Sequence, residues 1–206
     1  NSTYIYALNN TAAFSANTDA SAAPGTVYTP AFGTVTYSLA GGASSAAVAA
    51  NVQSGLDLFA NKDEVDISLI VTGDGMDTTT QNYATNIAKS RMDCVAFVSP
   101  FIGQAVGLTA SAATTAVAAW AASLTATSYA FADSGWKYQF DKYNNIYRWI
   151  PLNGDMAGLC VRTDNTTDPW FSPAGYSRGA VKNVVKLAWN PNQAQRDTIY
   201  SAAVNP

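Results

Sequence analysis

Predicted strands and helices alternate along the middle of the chain, and this alternation restricts the fold more than any other feature of the sequence. Each strand is a short run of apolar or alternating residues, and each intervening segment carries apolar residues at helical spacing. Strands separated by helices of this length are typical of a mainly parallel, helix-covered α/β sheet. The strands are predicted at residues 34–42, 65–73, 94–99 and 128–131.

Three helices are predicted between these strands. Ser44 and Ser45 are candidate N-caps of the first helix, and Asp77 and Thr78 are candidate N-caps of the second. The third helix follows a predicted loop at residues 100–107. The predicted buried faces carry Val48, Val52, Gly55 and Phe59 in the first helix, Ala84, Ile87 and Ala88 in the second, and Ala113, Val117, Trp120 and Leu124 in the third.

Residues 136–151 predict an aromatic-rich antiparallel hairpin that is added to the parallel sheet. The run "WKYQFDKYNNIYRWIP" alternates aromatic with charged residues around Asn144 and Asn145, which tolerate the positive φ of a tight turn. We expect one face of the hairpin to pack on the core and the other to meet solvent or a neighbouring subunit. The charged residues of that outward face are Lys137, Asp141 and Arg148.

The segments after the hairpin are less regular. Asp155 is a candidate N-cap of a short helix, and Asn190 with Pro191 predicts the start of a last helix that runs to about Val204. Residues 180–189 fit two structures, since their apolar spacing favours a helix and their β-branched content favours a strand.

The length and composition suit one domain with a substantial core, because the chain has 206 residues of which 48% are hydrophobic. Residues 34–206 are predicted to form this α/β domain. Residues 1–33 instead predict loops and strand fragments at the edge of a neighbouring or inserted domain.

Charged residues are sparse, at 12% of the chain with a net charge of −3. A weakly acidic chain does not attract nucleic acid or anionic lipid, and no apolar run reaches the roughly 18 residues of a membrane span. We therefore predict neither a nucleic-acid partner nor a membrane partner. The low charge fits burial in an assembly, and it fits equally a hydroxyl-rich exterior.

The chain contains no histidine, which removes Ser-His-Asp and Cys-His triads and histidine-ligated zinc. The two cysteines, Cys94 and Cys160, lie in apolar runs and are too few for a structural zinc site. We expect both to be reduced core residues. The sequence therefore predicts no catalytic residue, no cofactor and no metal site.

A G-x-S-x-G string at residues 175–179 nevertheless makes Ser177 a candidate hydrolase nucleophile on a strand-to-helix elbow. Such an elbow needs an incoming strand, but the preceding "DPWFSPA" contains two prolines, which a central strand does not accommodate. Lys182 is a conceivable base that the spacing does not place. A serine hydrolase therefore stays an alternative hypothesis.

The loop "TGDGMD" holds Asp74 and Asp77 after a predicted strand, where open α/β sheets bind ligands. These carboxylates fit a divalent ion, but we favour a glycine turn in which Asp77 caps the next helix. A sugar-binding or adhesin module is a further alternative, since the hairpin is rich in large rings. These rings are Trp136, Tyr138, Phe140, Tyr143, Tyr147 and Trp149.

Residues 136–206 resemble the contractile tail sheath proteins of myovirus-type phages, nearest those of the T-even-like group. The resemblance extends to residues 34–206 and is strongest at 136–179, whereas residues 1–33 and 100–127 show no specific match. The family pattern is matched by Pro151, Ala157-Gly158, Arg162-Thr163-Asp164, Trp170, Ser172-Pro173-Ala174-Gly175 and a closing Asn205-Pro206.

This resemblance implies a structural virion protein, assembled in the host cytoplasm, that surrounds the tail tube and contracts during genome injection. The implied partners are other copies in stacked rings, the tail tube protein and, at the sheath ends, baseplate and tail terminator proteins. It also implies subunit-linking arms and a C-terminal domain that are missing here, so the chain is expected to be a middle excerpt of a sheath subunit.

Under this interpretation, the stretch at residues 168–181 is a rigid bend. Pro169 and Pro173 restrict φ, while Gly175 and Gly179 relieve the backbone. We expect Trp170 to anchor the bend in the core. We expect Arg178 to pair with a carboxylate or to cap carbonyl groups, locally or across subunits.

Overall fold

The structure is a computed structural model that describes residues 48–74 and 77–206. The predicted strand at 34–42, the candidate caps Ser44 and Ser45, and the predicted edge segment at 1–33 all lie outside the described residues. The described residues belong to one compact unit.

A three-stranded parallel sheet forms the centre of this unit, in the order β1-β2-β3. This confirms the predicted parallel arrangement, although each strand is shorter than predicted. Ala96 lies at the middle of the sheet, opposite Ile70 on one side and Ala130 on the other. The strands are β1 (Leu69–Val71), β2 (Val95–Val98) and β3 (Ala130–Ala132).

Helices connect these strands, as the apolar spacing predicts, but the predicted buried face of the first helix is wrong, because Val48 and Phe59 are exposed and the helix buries no residue. The Asp77 carboxylate caps the second helix, since its Oδ1 accepts from Thr80 N at 2.7 Å. Hydrogen bonds from Thr80 hold the pKa of Asp77 below its ordinary value. A four-residue helix lies in the predicted loop at 100–107. The helices are α1 (Ala49–Asp57), α2 (Thr78–Arg91), α3 (Ile102–Ala105) and α4 (Ala110–Ala122).

Two hydrophobic clusters form the core. One contains β1, β2 and the inner face of α2, including Cys94, which confirms the expected burial of that thiol. Cys160 is only half-buried, and burial raises the pKa of both free thiols. The second cluster lies around α4 and includes Trp120, Trp136 and Ile199.

The predicted hairpin is present, but it is part of a three-stranded antiparallel sheet in the order β5-β4-β6. Asn145 adopts the positive φ that its turn needs, at +53°. Most of the ambiguous segment 180–189 is turn and bend, and only two of its residues pair with β4. These strands are β4 (Trp136–Asp141), β5 (Ile146–Pro151) and β6 (Lys186–Leu187).

Both predicted caps after the hairpin are wrong. Helix α5 (Asn153–Thr166) begins before Asp155, and Lys137 holds that carboxylate instead, at 2.8 Å. Helix α6 (Gln193–Ser201) is capped by Asn192, in a reciprocal capping box with Gln195. The cap therefore lies two residues after the predicted cap Asn190.

Candidate functional site

Three polar residues follow the three parallel strands directly, at the edge of the sheet where α/β proteins usually bind ligands. Thr72 follows β1, Ser99 follows β2 and Asp133 follows β3. All three side chains are buried. Buried polar groups at such an edge need partners, so their contacts decide what this site can do.

The three residues form one hydrogen-bonded cluster with the start of α5, which we call the polar cluster (Thr72, Ser99, Asp133 and Asn153). Ser99 Oγ donates to Asp133 Oδ2 at 2.6 Å, and the Asn153 amide N donates to Ser99 Oγ at 3.0 Å. Asn153 Nδ2 donates to Thr72 Oγ1 at 3.3 Å and to the Gly73 carbonyl at 3.0 Å. The first residue of α5 is therefore bound to the ends of β1 and β2.

Further hydrogen bonds join this edge of the sheet to α2, α4 and β4. Gln81 of α2 donates from Nε2 to the Ser99 carbonyl at 2.9 Å. Trp120 of α4 donates from Nε1 to Gln81 Oε1 at 2.9 Å, and Trp136 of β4 donates from Nε1 to the Pro100 carbonyl at 2.7 Å. Together with Asn153 of α5, side chains from α2, α4 and β4 thus hold this edge of the sheet in place.

Asp133 carries the main electrostatic feature of the cluster. Burial raises its pKa to about 7, against the hydrogen bonds from Ser99 and from the Gly135 amide, which favour the ionised form. The negative charge of Asp155 on α5 raises the pKa further. A buried carboxyl group of this kind stays largely protonated below neutral pH.

The cluster is suited to holding elements together rather than to chemistry. Among the described residues, Thr85 Oγ1 is the one buried side-chain polar atom without a partner, and it does not belong to the cluster. No group of three or more metal-ligating side chains lies together in the part of the chain that the structure describes. Asp77 is engaged as a cap, so contacts do not support the divalent-ion hypothesis for Asp74 and Asp77.

The residues of the family pattern are spread over several surfaces. Pro151 is buried opposite Trp136, and Asn205 donates from its amide N to the Ala132 carbonyl at 2.9 Å, on the open side of β3. On α5, the pattern residues Ala157 and Thr163 are buried, and the other three are exposed. These are Gly158, Arg162 and Asp164.

The expected core anchor of the bend is wrong, because Trp170 is 79% exposed. The bend is held by local contacts instead. Arg178 Nη2 donates to the Ala174 carbonyl at 3.0 Å, and its guanidinium lies 4.6 Å from the Phe171 ring centre. In the chain, Pro173 lies between Phe171 and Ala174, the two partners of Arg178.

Two glycines are required where this bend closes. Gly175 has a φ of +140°, which side chains other than glycine rarely adopt. A Cβ on Gly179 would lie 3.0 Å from the Gly175 carbonyl oxygen. The glycines of the G-x-S-x-G string thus satisfy a tight backbone turn.

Ser177 lacks the surroundings of a catalytic nucleophile. It is exposed in a turn, with no strand leading into it. None of the hydrogen bonds among the described residues involves its hydroxyl. The candidate base Lys182 contributes its backbone carbonyl, which accepts a hydrogen bond from Lys137. The geometry does not support the hydrolase hypothesis.

The antiparallel sheet presents an aromatic surface, which we call the aromatic face. Tyr138 stacks on Tyr147 at 5.4 Å between ring centres and contacts Trp149 at 4.9 Å. Phe140 packs on Tyr147 at 5.0 Å, and Lys186 Nζ lies 5.1 Å from the Tyr138 ring centre. Trp136 belongs to the same side of the strand but is buried.

Lys137 does not face solvent as predicted, since it is only 5% exposed. Its Nζ donates to Asp155 Oδ1 at 2.8 Å and to the Lys182 carbonyl at 3.2 Å. Arg148 and Asp141 do lie at the surface and pair with each other at 3.0 Å. Sequence reasoning missed Lys137, Asp133 and Asn153 as structural residues, and the signal they share is a polar residue within two positions of a strand end.

The fold and these contacts define an α/β domain in which the polar cluster is engaged inside the chain and the aromatic face is displayed outside it. No helix in the described ranges is long and apolar enough to cross a membrane. No protein-family model matches the chain.

The chain is similar to the tail sheath protein of Enterobacteria phage T4, with 40% identity over 185 residues, which covers 82% of this chain and 28% of that protein. It is 35% identical over 190 residues to the tail sheath protein of Vibrio phage KVP40, with the same two shares. The tail sheath protein of Salmonella phage ViI is 34% identical over 126 residues, or 61% of this chain and 20% of that protein.

These matches confirm the resemblance drawn from the sequence: the chain belongs to the phage tail sheath protein family. It spans 28% or less of the length of the curated relatives it matches.

Proposed function

We propose that the complete protein is a structural subunit of a contractile tail sheath, in which this chain supplies a stiff α/β domain. The observation that carries the proposal is the 40% identity to the T4 tail sheath protein over 82% of the chain. In this role the protein surrounds the tail tube in the virion and contracts during injection of the genome.

The interior of the domain supports this role. A contracting subunit transmits strain to its neighbours only if its core stays packed while its contacts change. The polar cluster binds α5 to the ends of β1 and β2, and Trp120 and Trp136 join α4 and β4 to the same edge. These bonds favour movement of the domain as one body.

The surface of the domain supports the role as well. Only 12% of all residues are charged, so few ions would lose water when subunits pack together. Large side chains such as Trp170, Tyr143 and Tyr147 are exposed, and aromatic residues of this kind are enriched where proteins meet. Neither feature requires a catalytic group, and we propose no enzymatic activity.

The proposed partners are other copies in stacked rings, the tail tube protein along the sheath, and baseplate and tail terminator proteins at its ends. Assembly would occur in the host cytoplasm. Within the subunit, residues 34–206 would form part of the conserved α/β domain, and residues 1–33 the edge of a neighbouring one. A net charge of −3 does not favour nucleic acid or membrane as a partner.

The test is assembly of the complete protein, observed by negative-stain electron microscopy with and without tail tubes as a scaffold. We expect hollow tubes or helical sheath-like polymers. Protein that stays monomeric at every salt concentration and pH, with and without tubes, would overturn the proposal. Neither the contacts nor the comparisons favour the serine hydrolase or the sugar-binding alternative.

A further inference from the structure

Two exposed surfaces of the domain differ in charge and lie at opposite ends of the parallel strands. The first is the acidic apex, residues 57–66, which leads into the amino end of β1. The second is the aromatic face, formed by Tyr138, Phe140, Tyr147, Trp149 and Lys186. The hairpin that bears it begins shortly after β3 ends, and its first residue, Trp136, donates from Nε1 to the carbonyl of Pro100, which lies just beyond the carboxyl end of β2.

The acidic apex presents exposed apolar side chains in a segment that is rich in carboxylates. Leu58 is 72% exposed and Phe59 is 42% exposed at its tip. Four acidic residues and one lysine share this segment. The acidic residues are Asp57, Asp63, Glu64 and Asp66, and the lysine is Lys62.

A buried arginine holds the apex in place. Arg91, at the end of α2, donates from Nη1 to the Phe59 carbonyl at 2.7 Å and from Nη2 to the Val65 carbonyl at 2.9 Å. It also pairs with Asp93 at 2.9 Å. The two apolar side chains at the tip are thus displayed on an ordered loop, which lowers the entropy lost on binding.

The aromatic face has the complementary character. The register pairs Tyr138 of β4 with Trp149 of β5 on one side and with Lys186 of β6 on the other. It also pairs Phe140 with Tyr147, so all five side chains lie on one face of the sheet. Lys186 Nζ lies 5.1 Å and 5.5 Å from the ring centres of Tyr138 and Trp149. These five residues include no carboxylate, and Phe140 and Tyr147 are about half exposed.

We infer that the acidic apex of one copy docks on the aromatic face of the next copy. Leu58 and Phe59 would cover the exposed rings, while the surrounding carboxylates meet Lys186 and Lys142, which lies at the tip of the hairpin. The occupant is a second copy because this chain itself carries the acidic, apolar-tipped surface that a basic aromatic face requires.

The position of the two surfaces gives this contact a direction. A contact between two different surfaces of the same chain is heterologous, and it continues from copy to copy until a ring closes or a helical filament forms. Surfaces at opposite ends of one rigid domain produce a head-to-tail order. The inference rests on the proposed sheath function for its setting, but it can be tested apart from contraction or tube formation.

The first test is charge exchange in the complete protein, with sedimentation velocity as the readout of self-association. The acidic-side variant is Asp63→Lys with Glu64→Lys, and the basic-side variant is Lys142→Glu with Lys186→Glu. We expect each to weaken self-association about tenfold or more, since like charges then face each other across the interface. The combined fourfold variant should recover the wild-type value to within about threefold.

Matched controls change the same charges elsewhere. Arg196→Glu and Asp197→Lys alter exposed residues of α6, outside both surfaces, and should leave self-association unchanged. Thermal unfolding followed by circular dichroism identifies any variant that fails to fold. The inference would be overturned if the acidic-side and basic-side variants, each changed on one surface only, associate like the wild type. It would also be overturned if the fourfold variant recovers no self-association relative to them.

The second test is disulfide trapping between two differently tagged copies, both carrying Cys160→Ser to remove the half-buried thiol. One copy carries Phe59→Cys and the other Tyr147→Cys, and we expect a mixed disulfide dimer. The control pair replaces Tyr147→Cys by Tyr200→Cys on α6, which is exposed but outside the aromatic face, and should give at least about tenfold less dimer if the contact is specific.

Absence of the mixed dimer, or trapping of Tyr147→Cys by the tail tube protein instead, would overturn the inference. The two proposals fail separately. Tubes that assemble normally from the one-sided charge variants contradict this contact alone, whereas a mixed dimer in a protein that never forms tubes contradicts the sheath function alone.

Discussion

The surroundings of Asp133 predict how the free energy of unfolding depends on pH. Its carboxyl group is buried between Ser99 and Gly135, and this burial raises its pKa from an ordinary value of 3.8 to about 7. Between these two values, the folded chain keeps a proton that the unfolded chain has released. The free energy of unfolding therefore falls as pH rises through this window.

The magnitude follows from the difference of about three pKa units. Each unit corresponds to about 1.4 kcal/mol, so the contribution of this group declines by about 4 kcal/mol from below pH 4 to above pH 7. The group is buried, so solvent screening removes little of this effect. The charged side chains that face it are Asp155, which is paired with Lys137, and Arg196, which lines the same cleft.

The perturbation is Asp133→Asn, which resembles the protonated acid in shape and cannot ionise. We expect the stability of the variant to rise relative to that of the wild type by about 3 kcal/mol between pH 5 and pH 8, which is the part of the decline that lies above pH 5. The assay is urea unfolding followed by tryptophan fluorescence at pH 5, 6, 7 and 8, analysed by linear extrapolation.

The difference between the two stability profiles isolates Asp133, because other titrating groups contribute equally to both proteins. Asp197→Asn, which removes an exposed carboxylate of α6, serves as the control and should run parallel to the wild type. Parallel profiles for Asp133→Asn would refute the reasoning. A variant that is strongly destabilised at pH 5 would show that the ionised form is the one the cluster holds.

Three further substitutions test the contacts around this cluster and the bend. Asn153→Ala should lower the free energy of unfolding by about 1 to 3 kcal/mol in urea titrations, since the Gly73 carbonyl loses its partner. Trp170→Ala should change the free energy of unfolding by less than about 0.5 kcal/mol, because the ring is exposed. Trp136→Ala removes a buried ring and should lower it by about 3 to 5 kcal/mol. Equal losses for the two variants would contradict the assignment of Trp136 as buried and Trp170 as exposed. Gly179→Ala should lower the melting temperature, because its Cβ would lie 3.0 Å from the Gly175 carbonyl oxygen, and an unchanged melting temperature would show that the bend relaxes freely.

The elements that the sequence predicts correctly are those with a local and periodic cause. Helices α2 and α4 bury the faces that their spacing indicates, such as Ala84 and Val117. Asp77 caps α2 through a residue only three positions away, and Asn145 turns the hairpin by its own tolerance of positive φ. Such causes are visible within a window of a few residues.

Several of the errors involve side chains whose surroundings the local pattern does not reveal. Lys137 is buried because Asp155 lies beneath it, 18 residues further on, and Asp133 binds Ser99 across 34 residues. Trp170 resembles a core residue by type, yet the bend is held by Arg178 and leaves the indole exposed. Alternation and residue type cannot reveal which partner the fold places opposite a side chain.

The burial of Lys137 also fixes which residues of β4 belong to the aromatic face. Successive residues of a strand point to opposite sides, so anchoring Lys137 to Asp155 below the sheet directs Tyr138 to the upper side. The Trp136 indole fixes the start of the same strand to Pro100 in the core. Interior contacts at the base of the hairpin thus pre-organise the exposed rings further along it. A surface arranged in this way loses little entropy on binding, which favours repeated docking between rigid copies.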